Sequence, residues 1–97
     1  MKRQDAIRIL RDALPRLKAS YGVLDLGLFG SVARDEARPD SDVDIVVSLD
    51  AQVDLFGVVR LKLELEDLLG SKVDLGTWES LNPKLRSYVE RDIIHVA

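Results

Sequence analysis

The sequence predicts a small two-layer α/β domain with the element order α-β-α-β-α-β-α, closed by a short strand. Three observations carry that expectation. Helical and strand periodicities alternate along the chain. The strand-like runs are short and bounded by Gly, Ser, Pro and Asp. A chain of 97 residues with 46% apolar content has room for one modest core. No repeat, low-complexity tract or Gly/Ser/Pro linker divides it, so residues 1–97 read as one domain.

Residues 3–20 carry Ile7, Leu10, Leu14 and Leu17 at helical spacing, and Tyr21-Gly22 ends the element. Pro15 lies inside that pattern. It is expected to kink or split the helix near Leu14, because it lacks an N–H and its ring crowds the preceding turn. Residues 23–29 alternate, with Leu24, Leu26 and Leu28 on one strand face. Gly30-Ser31 follows, then a short helix-like piece, VARDEA, and a turn at Arg38-Pro39-Asp40. Residues 42–49 read as a second strand rich in β-branched residues.

Residues 54–69 alternate strictly from Val59 to Glu66, as a strand would. Their length, Asp54 at the N-cap position and the Leu/Glu/Lys content favour a helix. On a wheel the apolar positions exceed the ~100° stripe that one buried face needs. Phe56 and Leu63 fall on one flank, Leu61 and Leu68 on the other. Such a helix is either gripped on two sides by its own domain or offers a docking face to another chain. Gly70-Ser71 closes it. Residues 72–76 form a short third strand, Leu81-Asn82-Pro83 opens a helix over 83–91, and residues 92–96 form a small edge strand. Tyr21 and Trp78 read as packing residues.

Composition narrows the chemistry. Zero cysteines remove disulfides, thiolate metal sites and thiol nucleophiles, and the single histidine, His95, disfavours a histidine-based triad or metal cage. The net charge of −3 does not suit a protein that grips a nucleic-acid backbone. No apolar run reaches the ~20 residues that span a bilayer, and the start of the chain has no apolar signal core, so a cytoplasmic location is expected.

Two short stretches carry the chemistry. Gly30-Ser31 stands where a strand gives way to a helix. A glycine there lets a ligand approach the backbone, and the amides that follow favour an anion. Alone, the pair reads as an ordinary strand-to-helix turn. Asp42 and Asp44 are two apart at the mouth of the apolar run Ile45-Val46-Val47, so their carboxylates share a strand face. Two such charges repel unless a cation lies between them. A solvated strand start is the plain alternative. Asp74 lies between Val73 and Leu75; if its strand pairs beside the second, three carboxylates converge. That set suits divalent metal, Mg²⁺ above all, shared with substrate phosphate oxygens, and two such ions could clamp an in-line displacement at phosphorus. Without that pairing Asp74 is a surface acid. Neutralising the three aspartates would bring the formal charge from −3 to zero, so the site accounts for the acidity.

Other acid-pair chemistries fail on this sequence. An EF-hand loop counted from Asp40 would put Ile45 at its glycine position and Ala51 at its terminal acid. A haloacid-dehalogenase phosphatase places its acids after an apolar strand, whereas here the strand comes after them. A glycosidase needs acids that flank a sugar.

Gly30-Ser31-x-Ala33-Arg34 followed by Ser41-Asp42-x-Asp44-Ile45 resembles the signature of the polymerase-β-like nucleotidyltransferase superfamily. The short length points to its minimal nucleotidyltransferase (MNT) branch. Val73-Asp74-Leu75-Gly76-Thr77 and Leu81-Asn82-Pro83 are similar to that family's third-acid strand and the loop after it. One departure is Asp35, where many relatives carry glycine. The resemblance implies a two-layer nucleotidyltransferase fold with a small mixed sheet. It implies that Asp42, Asp44 and Asp74 are catalytic and ligate Mg²⁺, and that Gly30, Ser31, Arg34 and Ser41 bind the nucleotide. A plain surface arginine is the other reading of Arg34. The implied reaction transfers AMP from ATP to a hydroxyl, a tyrosine of a partner HEPN toxin, with this chain as antitoxin in a hetero-oligomer. Contact-only neutralisation of a HEPN RNase, or nucleotidylation of a small molecule such as an aminoglycoside, are the alternatives.

Overall fold

The computed structural model describes residues 1–96. The chain runs α1 (Arg3–Tyr21), β1 (Val23–Phe29), α2 (Gly30–Ala33), β2 (Val43–Leu49), α3 (Leu55–Leu69), β3 (Val73–Thr77), a 3₁₀ turn (Trp78–Ser80), α4 (Pro83–Asp92) and β4 (Ile94–His95). The sheet order is β3-β2-β1-β4. β1 is antiparallel to β2 and to β4, whereas β2 and β3 are parallel. The architecture is the expected mixed α/β one. Among the described residues no helix is long and apolar enough to cross a membrane.

The core lies between one sheet face and the pair α1/α3. Ala6, Leu10, Ala13 and Leu17 of α1 and Leu61, Leu65 and Leu69 of α3 cluster with Val23, Leu26, Leu28, Val43, Ile45 and Val47. Burial of this set supplies the main drive to fold. The other face is covered in part by α4 and the residue after it. Gly27 makes that possible, since a Cβ there would lie 2.5 Å from Ile93 Cδ1 and 3.5 Å from Val46 Cγ1. Strand alternation puts Asp44 on the same face as Val46. The partly open face therefore carries the acids.

Several expectations need correction. α1 passes through Pro15 without a break. The hydrogen bond that proline removes would have used the carbonyl of Arg11, and both residues lie on the exposed side of the helix, where solvent can reach. Leu24 is not in the core but 59% exposed. A bulge slips the register between Val23 and Asp25, which gives the inward position to Val23. The helix after Gly30 is only the four residues Gly30–Ala33, not a piece reaching residue 37. Nor is α3 gripped on two sides. Leu55, Phe56, Val59 and Leu63 are 76%, 79%, 49% and 59% exposed, so one flank stands free. Its start is as expected, with the Asp54 carboxylate accepting from the Gly57 amide at 2.9 Å. Tyr21 does more than pack: its hydroxyl donates to Glu64 Oε2 at 3.3 Å, and Arg16 pairs with the same carboxylate, tying α1 to α3.

Asp35 explains the departure from glycine noted above. It adopts φ 60°, the left-handed region that Asp tolerates better than most residues. Its Oδ1 accepts from the Arg3 amide at 3.1 Å, and Lys2 supplies no side-chain cap, so Asp35 caps α1 from a distance of 32 residues in sequence. Asp35→Ala loses the cap and adds strain, for an expected cost of about 1–2 kcal/mol in urea unfolding. Asp35→Gly loses the cap but relieves the strain, so it should lie between Ala and wild type. Equal stability of all three would remove the cap.

Candidate active site

The parallel pairing of β2 with β3 sets Asp44 directly beside Asp74. Asp42 stands one residue before β2, at its mouth. Asp42 and Asp74 are exposed and Asp44 is half-buried. Burial pushes the Asp44 carboxyl up to about 6, and the charges of Asp74 and Asp42 push the same way, while Arg34 opposes them. The three acids are thus electrostatic neighbours. The condition set by the sequence, that the third strand lie beside the second, is met.

Gly30 closes the site from the β1 side. It has φ 72°, and a Cβ on it would overlap Asp44 Oδ2 and lie 2.9 Å from Asp44 Cγ. Backbone and carboxylate approach as closely as they do only because no side chain intervenes. The tight turn behind Gly30 is held by the Arg34 amide on the Gly30 carbonyl at 3.1 Å and the Glu36 amide on the Ser31 carbonyl at 2.8 Å. Helix amides of a first turn have no intrahelical acceptor, so those of Gly30 and Ser31 are open to a ligand. α2 is too short for a sizeable macrodipole, and anion affinity here would come from those individual N–H groups.

A groove of about 400 Å³ is lined by Asp74 among the three acids, whereas Asp42 lines a separate hollow with Ser41. Gly30, Asp74 and Arg34 form part of its wall, and Leu81, Leu85 and Tyr88 form an apolar side. Leu85 and Tyr88 are both more than half exposed. The guanidinium of Arg34 is held by Asp92 Oδ2 at 2.8 Å and by Glu36 Oε2 at 3.2 Å. Arg34 titrates above its ordinary value for the same reason, with Asp92 the larger cause and Glu36 the second. Ser41 is not brought to this groove. Its Oγ accepts from the Arg38 amide at 2.9 Å within the turn before β2, and it lines a separate hollow with Gly70, Ser71 and Lys72. The groove wall on α4 and the partner Asp92 escaped sequence reasoning. Arg34 and Asp92 are 58 residues apart, and no periodicity links them.

Hard oxygen donors beside a half-buried carboxylate suit Mg²⁺, a cation bound through one or two carboxylates with the rest of its shell left to water and phosphate. Among the described residues no group of three or more His, Cys, Asp or Glu side chains is placed to hold a metal ion by itself.

Acids paired across parallel strands, with a glycine turn against them, can meet a cation and a phosphorylated ligand. The chain belongs to the nucleotidyltransferase domain family, whose model matches residues 7–96, and it is a nucleotidyltransferase. Protein adenylyltransferase MntA of Thermococcus cleftensis is 40% identical over 80 residues, covering 82% of this chain and 81% of that one. A solved chain provisionally described as a minimal nucleotidyltransferase is 42% identical, with a TM-score of 0.81 over 97% of this chain and 95% of its own. A toxin–antitoxin crystal structure with AMP-PNP is 26% identical, with a TM-score of 0.71 over 100% of this chain and 73% of that chain.

Proposed function

We propose that this chain is an antitoxin that transfers the AMP moiety of ATP, with Mg²⁺, to a hydroxyl of its toxin. The toxin is a HEPN RNase and the acceptor a tyrosine. The observation that carries the reading is the Asp44–Asp74 pairing beside Gly30. The adenylyltransferase name of the Thermococcus relative and the nucleotide in the toxin–antitoxin neighbour support the donor and the kind of partner.

In this reading the open amides of Gly30 and Ser31 and the Arg34 guanidinium hold the triphosphate, with Ser41 steadying the turn that presents Asp42. Asp42, Asp44 and Asp74 would hold the cation, which when bound neutralises charge developing on the phosphate oxygens. The acceptor hydroxyl oxygen forms a bond to the α-phosphorus, the bond from that phosphorus to the bridging oxygen breaks, and pyrophosphate leaves. The hydroxyl proton passes to Asp74, the acid that also lines the groove. Most of the acceleration comes from orientation.

The test mixes this chain, α-labelled ATP, Mg²⁺ and the product of the adjacent gene. Label should appear on the partner and vanish with Asp42→Ala plus Asp44→Ala. Asp74→Asn should lower transfer at least ~100-fold while moving the melting temperature far less, because Asp74 is exposed. Unchanged transfer in that variant would remove Asp74 from the site. The exposed flank of α3 favours one second reading, neutralisation by contact alone. Toxin inhibition that survives the double substitution would establish it.

A further inference from the structure

Arg34 is held by two carboxylates of unlike character. Glu36 is 67% exposed, so its pairing at 3.2 Å is a solvated surface contact. Asp92 is 14% exposed and accepts from Arg34 Nη1 at 2.8 Å, a charge-assisted bond whose acid is sheltered while its arginine is 43% exposed. Arg91 Nε lies 3.7 Å from the other Asp92 oxygen. Arg34, Arg91, Asp92 and Glu36 sum to zero formal charge, and Arg34, Asp92 and Arg91 line the groove with Gly30 and Asp74. Among the described residues Arg34 Nη2 has no hydrogen-bond acceptor. A guanidinium held at Nε and Nη1 keeps its two Nη2 donors unspent, and these can meet phosphate oxygens. Asp92 ends α4, whereas Arg34 follows α2, so the bond also sets α4 against the turn that carries Gly30 and Ser31.

We infer that Asp92 is a positioning residue, which holds the Arg34 guanidinium at the groove so that its unspent Nη2 donors meet the phosphates of the nucleotide. The inference rests on the nucleotidyl-transfer reading above. Without Asp92 the arginine regains its rotamers, and nucleotide binding must order it again.

The experiment measures Mg·AMP-PNP affinity by calorimetry, KM for ATP and kcat in the transfer assay, and the melting temperature. Asp92→Asn should weaken nucleotide affinity and raise KM about 5–10-fold, with kcat within about twofold and little change in melting. Glu36→Gln should leave affinity within about twofold. Arg34→Ala should weaken affinity at least as much as Asp92→Asn, and the double variant should be no worse than Arg34→Ala alone. Asp92→Glu should recover part of the loss. Additive effects of the Arg34 and Asp92 substitutions, equal effects at Glu36 and Asp92, or a lower melting temperature with unchanged KM would each overturn the inference. Wild-type protein that binds no Mg·AMP-PNP would instead remove the functional reading itself.

Discussion

Asp44→Asn is expected to abolish transfer and, at the same time, to raise the melting temperature of the metal-free protein. The first effect follows from its place between Asp42, Asp74 and Gly30. On the proposed reading Asp44 holds the cation at the reacting phosphate, and loss of such a group costs about 10²–10³-fold or more. The second follows from the environment that raises its pKa. Below its ordinary value of 3.8 the carboxyl is protonated in both states, folded and unfolded. Between there and about 6 the unfolded chain has released its proton while the folded chain still holds it. Folding then binds a proton, so stability falls as pH rises through this window and levels off above it. After discounting for partial solvent access, ionised Asp44 destabilises the apo fold by about 1–2 kcal/mol at neutral pH.

Asparagine keeps the shape and removes the charge. At pH 7.5 in EDTA the variant should melt about 5–10 °C above wild type. At pH 4 the difference should shrink toward zero. Mg²⁺ with nucleotide should raise the wild-type melting temperature and leave the variant nearly unmoved, because ligand that binds only the folded state stabilises it. Scanning fluorimetry over pH 4–8, with and without Mg²⁺, reads all three. A variant that melts below wild type at pH 7.5 without metal would show that repulsion does not dominate at this position.

Local signals carried most of the elements. The strands were legible because period-2 alternation and bounding Gly, Pro and Asp leave few other readings for runs this short. Asp54 and Asn82 marked two helix starts, since each is a short acceptor that caps the amides that follow it. The errors share one cause. Leu24 follows the alternation but a bulge, which depends on how β1 meets β2, turns it outward. Pro15 follows the rule for helix breakers, but its lost hydrogen bond faces water while Ala13 and Leu17 anchor the helix to the core. Part of the acid constellation was legible for a local reason as well. Asp42 and Asp44 are neighbours by strand geometry alone, whereas Asp74 joins them only through parallel pairing, a tertiary choice that the sequence could state only as a condition. The bond from Arg34 to Asp92 has no local signal at all, because it joins two helix ends far apart in the chain.

Gly30→Ala is expected to lower transfer about 100-fold or more, and Gly70→Ala is the control that isolates the reason. Both glycines sit in the left-handed region, with φ 72° at Gly30 and 66° at Gly70. A methyl group at either position therefore carries the same backbone strain, about 1–2 kcal/mol. Their surroundings differ. A Cβ at Gly70 meets nothing within 4 Å, whereas at Gly30 it overlaps Asp44 Oδ2 and lies 3.1 Å from Asp44 Cβ. Strain alone predicts that both variants lose similar stability and that neither loses much activity. Contact with Asp44 predicts that only Gly30→Ala displaces the carboxylate, so that transfer and Mg·AMP-PNP affinity collapse together while Gly70→Ala keeps both. Rates should be compared at a temperature well below both melting transitions, so that unfolding does not enter. If Gly30→Ala transfers within about threefold of Gly70→Ala, the close approach of backbone and carboxylate is incidental, and the glycine serves the turn alone.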